Sequence, residues 1–257
     1  VRGLRAYASN RDRPMPTQPS QFAMILRKHL NNSRLVGVEQ FGFDRVIRLE
    51  FEHGRGRLSI VIELFRDGNV LLLDEDGVII RPLTHAKYAS RSLKKGEIYA
   101  PPPEAIDPRN LDRVTLDGIL AGSDHALIRT LASRANLGRV YGSAVCSISG
   151  IDEDAQSDSL TIEQRDSLEA ALKEMLGGLD GGEGGNIWLS DAESKTSWID
   201  SDNESERDSA AAGIIEFSPI NLPSMDEEMS VAVSSLSQVY DFIFGSHDAA
   251  AFIRREE

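Results

Sequence analysis

The sequence predicts an α+β protein in which an antiparallel β-rich part is followed by a helical part. Two patterns predict this class. Between residues 45 and 83, short segments of alternating or β-branched apolar residues are separated by tight-turn sequences, as in consecutive hairpins. From residue 111 onward, apolar residues recur at helical spacing instead. The Pro-rich stretch "KKGEIYAPPP" lies between the two patterns and marks their boundary.

The first predicted element is a helix in "QFAMILRKHLNNS". Its apolar residues, including Phe22, Leu26 and Leu30, share one helical face, and Ser20 is positioned to cap its start. Four strands joined by short turns are predicted to follow as an antiparallel meander, with Asp67-Gly68 forming one of the tight turns. These strands are Arg45–Glu52, Arg57–Phe65, Val70–Asp74 and Val78–Leu83.

The helical part is predicted to contain four helices, judged from apolar spacing and cap residues. A helix–turn–helix is predicted within Ser123–Asp152, with Ser123 as the first cap and Gly138 in the left-handed conformation that ends a helix. Thr161 followed three residues later by Gln164 is a capping-box pattern. Single helices are predicted at Asn110–Gly122 and Leu160–Leu176 on either side of this pair.

The last third is predicted to be less regular. It opens with a Gly-rich break and continues with an apparent hairpin in "NIWLSDAESKTSWID". An acidic segment of low apolar content is predicted to be a mobile loop, because it has little apolar surface to bury. The predicted bounds are Gly177–Gly185 for the break, Ser201–Gly213 for the loop, Ile214–Pro223 for an extended segment and Met229–Gly245 for a closing amphipathic helix.

Composition restricts the class of protein. The 257 residues are 40% apolar, include a single cysteine and contain no long uncharged apolar run, so disulfide frameworks and membrane spans are not predicted. We expect a reducing, cytoplasmic setting. Residues 1–100 carry 17 Lys and Arg against 11 Asp and Glu, whereas the remainder carries 11 against 30. A basic first part permits a local phosphate-binding face despite a net charge of −13.

The motifs of common catalytic and cofactor sites are not found in the sequence. It contains no P-loop, no G-x-G-x-x-G opening a helix, no H-E-x-x-H and no C-x-x-C, and its five histidines lack metal-ligand spacing. We therefore predict no catalytic residues, no metal and no cofactor. The chain also lacks an initiator Met and a signal-peptide pattern, which predicts that it begins inside a longer protein.

The basic residues of the first part are candidate phosphate contacts. Singly, each is better explained as a solvated side chain, but grouped on one face they would suit a nucleic acid. Arg27, Lys28 and Arg48 are the candidates, and the helix–Gly–helix at 123–150 offers backbone N–H groups as a second option. The charged pair Asp44-Arg45 lies at the start of the first apolar predicted strand. Either a structural ion pair or a binding role would explain it.

Four segments in this order resemble the NFACT family, which includes RqcH, NEMF and proteins once named fibronectin-binding protein A. They are "RPMPTQPSQFAMILRKHL", "GVEQFGFDRVIRLEFEH", "VIELFRDGNVLLLDEDGVII" and "LASRANLGRVYGSAVCSISGID". The amino-acid sequences of these segments resemble those of archaeal members. The resemblance implies an N-terminal domain similar to that of formamidopyrimidine-DNA glycosylases, followed by helix-hairpin-helix-like elements. It divides the chain into a β-rich core at 1–103, a helical part at 104–176 and, at 177–257, a linker with a closing helix.

The resemblance also implies a function. Members of this family bind the large ribosomal subunit beside trapped peptidyl-tRNA and recruit aminoacyl-tRNA, alanyl-tRNA in prokaryotes. The ribosome then adds an untemplated tail to the stalled chain, so the factor needs no bond-making site of its own. "FDRV" matches the family's DR motif, which implies that Asp44 and Arg45 engage tRNA. The protein would accordingly be cytoplasmic and ribosome-associated.

The chain departs from the family pattern at both ends. An N-terminal helix with a further acidic residue, the coiled-coil arms and the NFACT-R domain are not seen, which predicts a fragment. Two alternatives from other classes stay open at this point. One is a fibronectin-binding surface adhesin, which would need an export signal. The other is a nucleic-acid-binding or repair protein of glycosylase-like fold, although the catalytic N-terminal Pro and Glu of such enzymes are not visible.

Overall fold

The computed structural model describes residues 5–9, 11, 16–54, 56–65, 68–179, 182 and 184–245. The chain divides into two compact units. The first unit comprises residues 1–6 and 16–105, and the second comprises residues 7–15 and 106–257. Among the described residues, no helix combines the length and the apolar character needed to cross a membrane.

The first unit begins with helix α1 (Gln21–Leu30), which confirms the predicted first helix. Ser20 is its cap, because the Ser20 hydroxyl accepts a hydrogen bond from the Ala23 N–H at 3.2 Å. A five-stranded antiparallel sheet follows in the order β1-β2-β3-β4-β5. Its strands are β1 (Arg34–Gln40), β2 (Val46–His53), β3 (Gly56–Glu63), β4 (Val70–Leu73) and β5 (Ile79–Pro82).

This sheet confirms the predicted meander, and it adds β1, which was not predicted. β1 is an edge strand whose residues are almost all exposed, so no alternation of buried and exposed positions marks it in the sequence. The predicted Asp67-Gly68 turn lies partly outside the described residues. A short ribbon of β6 (Ala86–Lys87) and β7 (Ser92–Leu93) completes the unit. Its core is built from Val46, Val61, Leu71, Leu73, Ile79, Leu93 and Tyr99.

The second unit begins with a helical region. Its helices are α2 (Arg113–Ala121), α3 (Leu127–Ser133), α4 (Gly138–Ser149) and α5 (Ile162–Gly177). The predicted capping box is confirmed, since Thr161 and Gln164 exchange hydrogen bonds at the start of α5. Gly138 has the predicted left-handed conformation with φ +69°, but it begins α4 and does not end α3, whose last residue is Ser133. The α+β class with a helical region after the sheet is therefore confirmed.

The prediction that Ser123 caps the first helix of the pair is wrong. α3 begins after Ala126, which makes no side-chain cap. The Ser123 hydroxyl instead lies 2.6 Å from the Thr130 hydroxyl in a buried polar pair. Ser123 therefore satisfies an internal hydrogen bond of the helical core rather than a helix end.

The remaining elements are β8 (Gly185–Leu189), α6 (Ala192–Ile199), α7 (Glu204–Ala210), β9 (Ile214–Ser218), β10 (Ser230–Val233) and α8 (236–245). The strands form an antiparallel sheet in the order β10-β8-β9. Trp198, Ala210, Ala211 and Val239 pack with Ile187 and Leu189 of β8 in one core cluster.

Three predictions for this segment are wrong. The stretch predicted as a hairpin is strand β8 followed by helix α6, which begins because the Asp191 carboxylate accepts from the Ser194 N–H at 2.8 Å. The stretch predicted as a mobile loop contains α7, capped by Asn203. The predicted helix from Met229 starts only at residue 236, because Ser230–Val233 pairs with β8 as β10. The separation of 104–176 from 177–257 stays a prediction.

Candidate nucleic-acid interface

Asp44 and Arg45 lie in the connection between β1 and β2, at one end of the first unit's sheet. The connection is closed by two backbone hydrogen bonds: the Phe41 N–H donates to the Val46 carbonyl at 3.0 Å, and the Asp44 N–H donates to the Phe41 carbonyl at 3.2 Å. Gly42 has φ +54°, a conformation that glycine adopts without steric cost. The chain therefore reverses tightly here and holds both charged residues at the rim of the sheet.

Asp44 braces the connection through the backbone. Its Oδ1 accepts a hydrogen bond from the Arg45 N–H at 2.7 Å, and its carbonyl accepts from the Gln40 side-chain amide at 2.8 Å. Within the part of the chain that the structure describes, the Asp44 and Arg45 side chains form no ion pair. The strand-end ion pair considered from the sequence is therefore not the arrangement observed there.

The Arg45 side chain is exposed. Its guanidinium lies over the Phe65 ring, 5.6 Å from the ring centroid, while its carbonyl accepts from the Leu64 N–H at 2.8 Å. A guanidinium held against an aromatic face keeps its planar fork of N–H donors free for phosphate or base edges. The geometry therefore presents a positioned cation to solvent.

Arg48 lies near the same connection but is more fully engaged. Its guanidinium lies over the Phe41 ring at 4.8 Å and approaches the Glu39 carboxylate at 3.9 Å. Contact with a carboxylate and an aromatic ring leaves less of its charge available to a phosphate. Arg48 is therefore the predicted phosphate contact that lies near the Asp44–Arg45 connection, but its guanidinium already contacts Phe41 and Glu39.

Lys28 is placed elsewhere. It borders a hollow of about 290 Å³ together with His53 and Arg57, at the β2–β3 hairpin. β2 runs seven residue steps from Val46 to His53, which corresponds to about 23 Å of extended chain. Arg27 precedes Lys28 in the last turn of α1 and is also exposed. The predicted cations thus form two separate groups rather than one.

A second hollow adjoins Asp44. Its volume is about 220 Å³, and its lining includes Phe41, Phe43, Pro101 and Pro102 with the two acidic residues Asp44 and Glu104. This volume is below the range of about 300–1,000 Å³ typical of pockets for drug-sized ligands. Aromatic and apolar walls with a carboxylate acceptor are the features with which proteins hold an unstacked base. The hollow is therefore chemically suited to one planar ring.

Sequence reasoning missed a buried polar network next to this connection. Arg91 forms a two-armed ion pair with Glu63, and the Tyr99 hydroxyl donates to the same carboxylate at 3.0 Å. One signal could have found it, because Glu63 is the charged residue within the otherwise apolar run from Ile60 to Phe65. A charge inside a buried strand requires a partner.

The α3–α4 turn was the second phosphate option. α4 starts at Gly138 without a side-chain cap, so the N–H groups of its first turn are not used by a cap residue. Arg134 and Arg139 are exposed beside this turn, and the Arg134 guanidinium donates to the Gly122 carbonyl. A phosphate role for this turn stays a prediction. Across the described ranges, no three His, Cys, Asp or Glu side chains converge as metal ligands.

Comparison with known families decides the assignment. Residues 2–255 match the family of NFACT N-terminal and middle domains, which is nearly the whole chain. The chain belongs to the NFACT family. The resemblance noted in the sequence is thereby confirmed.

Curated relatives of this NFACT chain include the archaeal Rqc2 homolog aRqcH of Methanocaldococcus jannaschii, 32% identical over 174 residues, or 65% of this chain and 25% of the relative. Ribosome quality control complex subunit 2 of Saccharomyces cerevisiae is 45% identical over 74 residues, 29% of this chain and 7% of the relative. Human ribosome quality control complex subunit NEMF is 37% identical over 81 residues, 32% of this chain and 8% of the relative. The matched segments thus span a quarter or less of these relatives.

Solved structures support the fold of this NFACT chain. The N-terminal part of the fibronectin/fibrinogen-binding protein of Streptococcus suis matches with a TM-score of 0.60 at 19% identity, covering 94% of this chain and 79% of that one. The fibrinogen-binding protein of Staphylococcus aureus matches with a TM-score of 0.61 at 19% identity, covering 88% and 75%. At this identity the likeness shows the fold alone. The glycosylase-like character of the sheet domain stays a prediction.

Proposed function

We propose that this NFACT chain is the tRNA- and large-subunit-binding part of a ribosome-associated quality control factor. The relatives that are at least 32% identical are named as ribosome quality control subunits or homologs of them. The fibronectin/fibrinogen-binding and fibrinogen-binding names belong to solved structures at 19% identity. Sequence similarity therefore favours the ribosomal role over the adhesin alternative.

In this role the chain holds tRNA, alanyl-tRNA in the family's prokaryotic members, on a large subunit that still carries peptidyl-tRNA. The ribosome forms the peptide bonds of the untemplated C-terminal tail. The chain contributes binding and orientation, so it needs no nucleophile, metal or cofactor of its own. Ribosome association in the cytoplasm is part of the same proposal.

The observation that carries the proposal is the exposed Arg45 guanidinium. It lies over Phe65 and has no carboxylate within ion-pair distance among the described residues. Asp44 uses Oδ1 on the Arg45 backbone N–H, and its second carboxylate oxygen could accept from an RNA donor. A cation for phosphate, an acceptor for a base amino group and a hollow for one ring meet at this connection. Together they are the chemistry of an RNA contact.

The test is tRNA binding over a salt series, with an alanine tRNA transcript as the probe. Arg45→Ala should weaken binding about ten-fold, the order of one charge-assisted hydrogen bond. It should also reduce the slope of log K against log salt by about 0.7–0.9, since one phosphate contact is lost. Asp44→Ala should weaken binding without reducing the slope, because it removes no cation.

Lys173→Ala is the matched control, since Lys173 is an exposed cation of the second unit paired with Glu169. It should leave both affinity and slope unchanged. Equal losses for Arg45→Ala and Lys173→Ala would show a non-specific charge effect and would contradict the proposed site. A parallel arm with immobilised fibronectin tests the adhesin alternative directly.

A further inference from the structure

Glu63, Arg91 and Tyr99 form a buried network at the strand that supports the Asp44–Arg45 connection. Glu63 is 0% and Tyr99 8% exposed. The Arg91 side chain is 6% exposed. The three residues come from the end of β3, the segment before β7 and the chain just beyond it. They therefore tie together parts of the first unit that are distant in sequence.

The network is fully hydrogen-bonded around one carboxylate. Arg91 Nη1 donates to Glu63 Oε1 and also to the Ala100 carbonyl at 3.1 Å, while Nη2 donates to Oε2 at 3.1 Å. Tyr99 donates to Oε1 at 3.0 Å. Burial lowers the pKa of Arg91, but its bonds to Glu63 outweigh that effect and leave the pKa raised. Burial, together with the Glu63 charge, raises the pKa of Tyr99. Arg91 thus stays charged and Tyr99 protonated at neutral pH.

Two routes connect this network to the connection that carries Arg45. Along the backbone, Glu63 pairs with Val46, and the next residue, Leu64, donates its N–H to the Arg45 carbonyl at 2.8 Å. Through side chains, the Tyr99 ring packs edge-on against Phe41 with centroids 6.4 Å apart. Phe41 is the residue whose backbone closes the connection. Both ends of the Phe41–Val46 segment are therefore in contact with the network.

Net stability is a weak reason for such an ion pair. The desolvation of two buried charges offsets most of their attraction, and apolar replacements are often equally stable. What an ion pair with two parallel hydrogen bonds supplies is geometry, since its length and plane are fixed. A binding group needs this kind of support from the residues behind it.

We propose that Glu63, Arg91 and Tyr99 are positioning residues that hold the Asp44–Arg45 connection in its tRNA-binding geometry. This inference rests on the proposed function of that connection. None of the three is expected to touch RNA, because all are buried. Their effect on binding would pass through Val46 and Phe41.

The double variant Glu63→Met/Arg91→Met tests the inference, because the methionines fill the same space with apolar atoms and remove the ion pair that fixes the geometry. In the folded variant, we expect tRNA affinity to fall about ten-fold and the salt slope to fall toward that of Arg45→Ala. In the Arg45→Ala background the same replacement should add no further loss, since both changes would remove one contact. A purely structural network would leave affinity and slope unchanged once the protein is folded.

Tyr99→Leu and Tyr99→Phe form a second pair that decides the matter should the double variant not fold. Tyr99→Leu removes the ring edge on Phe41 and should weaken tRNA binding, whereas Tyr99→Phe should restore it. Wild-type binding by the folded Glu63→Met/Arg91→Met variant or by Tyr99→Leu, while Arg45→Ala binds weakly, would overturn the positioning role and leave the proposed function intact. Wild-type binding by Arg45→Ala would overturn both.

Discussion

Removing Arg91 alone should destabilise the first unit strongly, because it leaves a buried charge without its main partner. In Arg91→Met, the fully buried Glu63 carboxylate keeps only the Tyr99 hydroxyl of its side-chain partners. Breaking a buried ion pair from one side costs about 3–5 kcal/mol. We expect a loss of this size in the free energy of unfolding.

The double variant Glu63→Met/Arg91→Met should lose less than the single variant, although it changes more residues. It removes the uncompensated charge and fills the space with apolar atoms. The buried Tyr99 hydroxyl then loses its Glu63 partner, which costs about 1–3 kcal/mol, whereas the exposed Ala100 carbonyl can bond to water. We expect the double variant to be about 2 kcal/mol more stable than Arg91→Met, and adding Tyr99→Phe to recover part of the remainder.

Urea titration followed by hydrogen exchange of the β2 and β3 amides measures this unit directly. Both tryptophans, Trp188 and Trp198, lie in the second unit. Tryptophan fluorescence therefore serves as the control that the second unit is still folded. A loss below about 1 kcal/mol for Arg91→Met would show that the pair is not a buried ionic contact. A double variant as unstable as the sum of both single variants would refute the charge-burial argument.

Three further predictions concern the second unit. Thr161→Ala should cost about 1 kcal/mol of unfolding free energy, measured by denaturant titration with tryptophan fluorescence, because the α5 capping box is lost, while Thr161→Ser should stay close to wild type. Gly138→Ala should destabilise the protein by about 1 kcal/mol in the same assay, because φ at this position is +69°. Gly118→Ala within α2, where an added Cβ meets nothing within 4 Å, should instead stabilise it by about 0.5–1 kcal/mol. Stability changes of the same sign for the two variants would contradict the backbone argument. Cys146 is 2% exposed, and burial, with repulsion from Glu153 and Asp152, raises its pKa to about 11. It should therefore resist iodoacetamide at pH 8 in the folded protein and react in urea, and fast native alkylation would contradict this.

Local signals explain what the sequence predicted well. The meander followed from alternating strands and turn dipeptides, and the capping box from Thr161 and Gln164, all of which act within a few residues. The same kind of signal was present but outweighed at Asn203, which is followed three residues later by Glu206. The acidic composition favoured a loop, yet Ala210 at the end of α7 and Ala211 directly after it are buried in the core cluster of this segment. Over a short segment, amino-acid composition predicts secondary structure less well than a helix-capping residue does.

Long-range pairing explains what the sequence could not predict. Glu63 bonds Arg91 and Tyr99 across separations of 28 and 36 residues. No periodicity links these positions, so only the fold shows which partner satisfies the buried carboxylate. The same holds for Arg45, whose guanidinium lies over the ring of Phe65, a residue far along the chain. The motif made Arg45 a candidate, while the exposed position of its side chain could be seen only in the structure.

The separation of the two groups of cations sets a lower limit on the ligand that could use both. Lys28 shares a hollow with His53 at the end of β2, and Arg45 immediately precedes the start of β2, a strand that is about 23 Å long. A single nucleotide could contact only one group, whereas an RNA of several nucleotides could span both. If both groups bind the same tRNA, Lys28→Ala and Arg45→Ala should each reduce the salt slope, and their free-energy losses should add, because sites this far apart do not couple. If only the Asp44–Arg45 connection binds, Lys28→Ala should behave like Lys173→Ala, and the RNA contact would be confined to one end of the sheet.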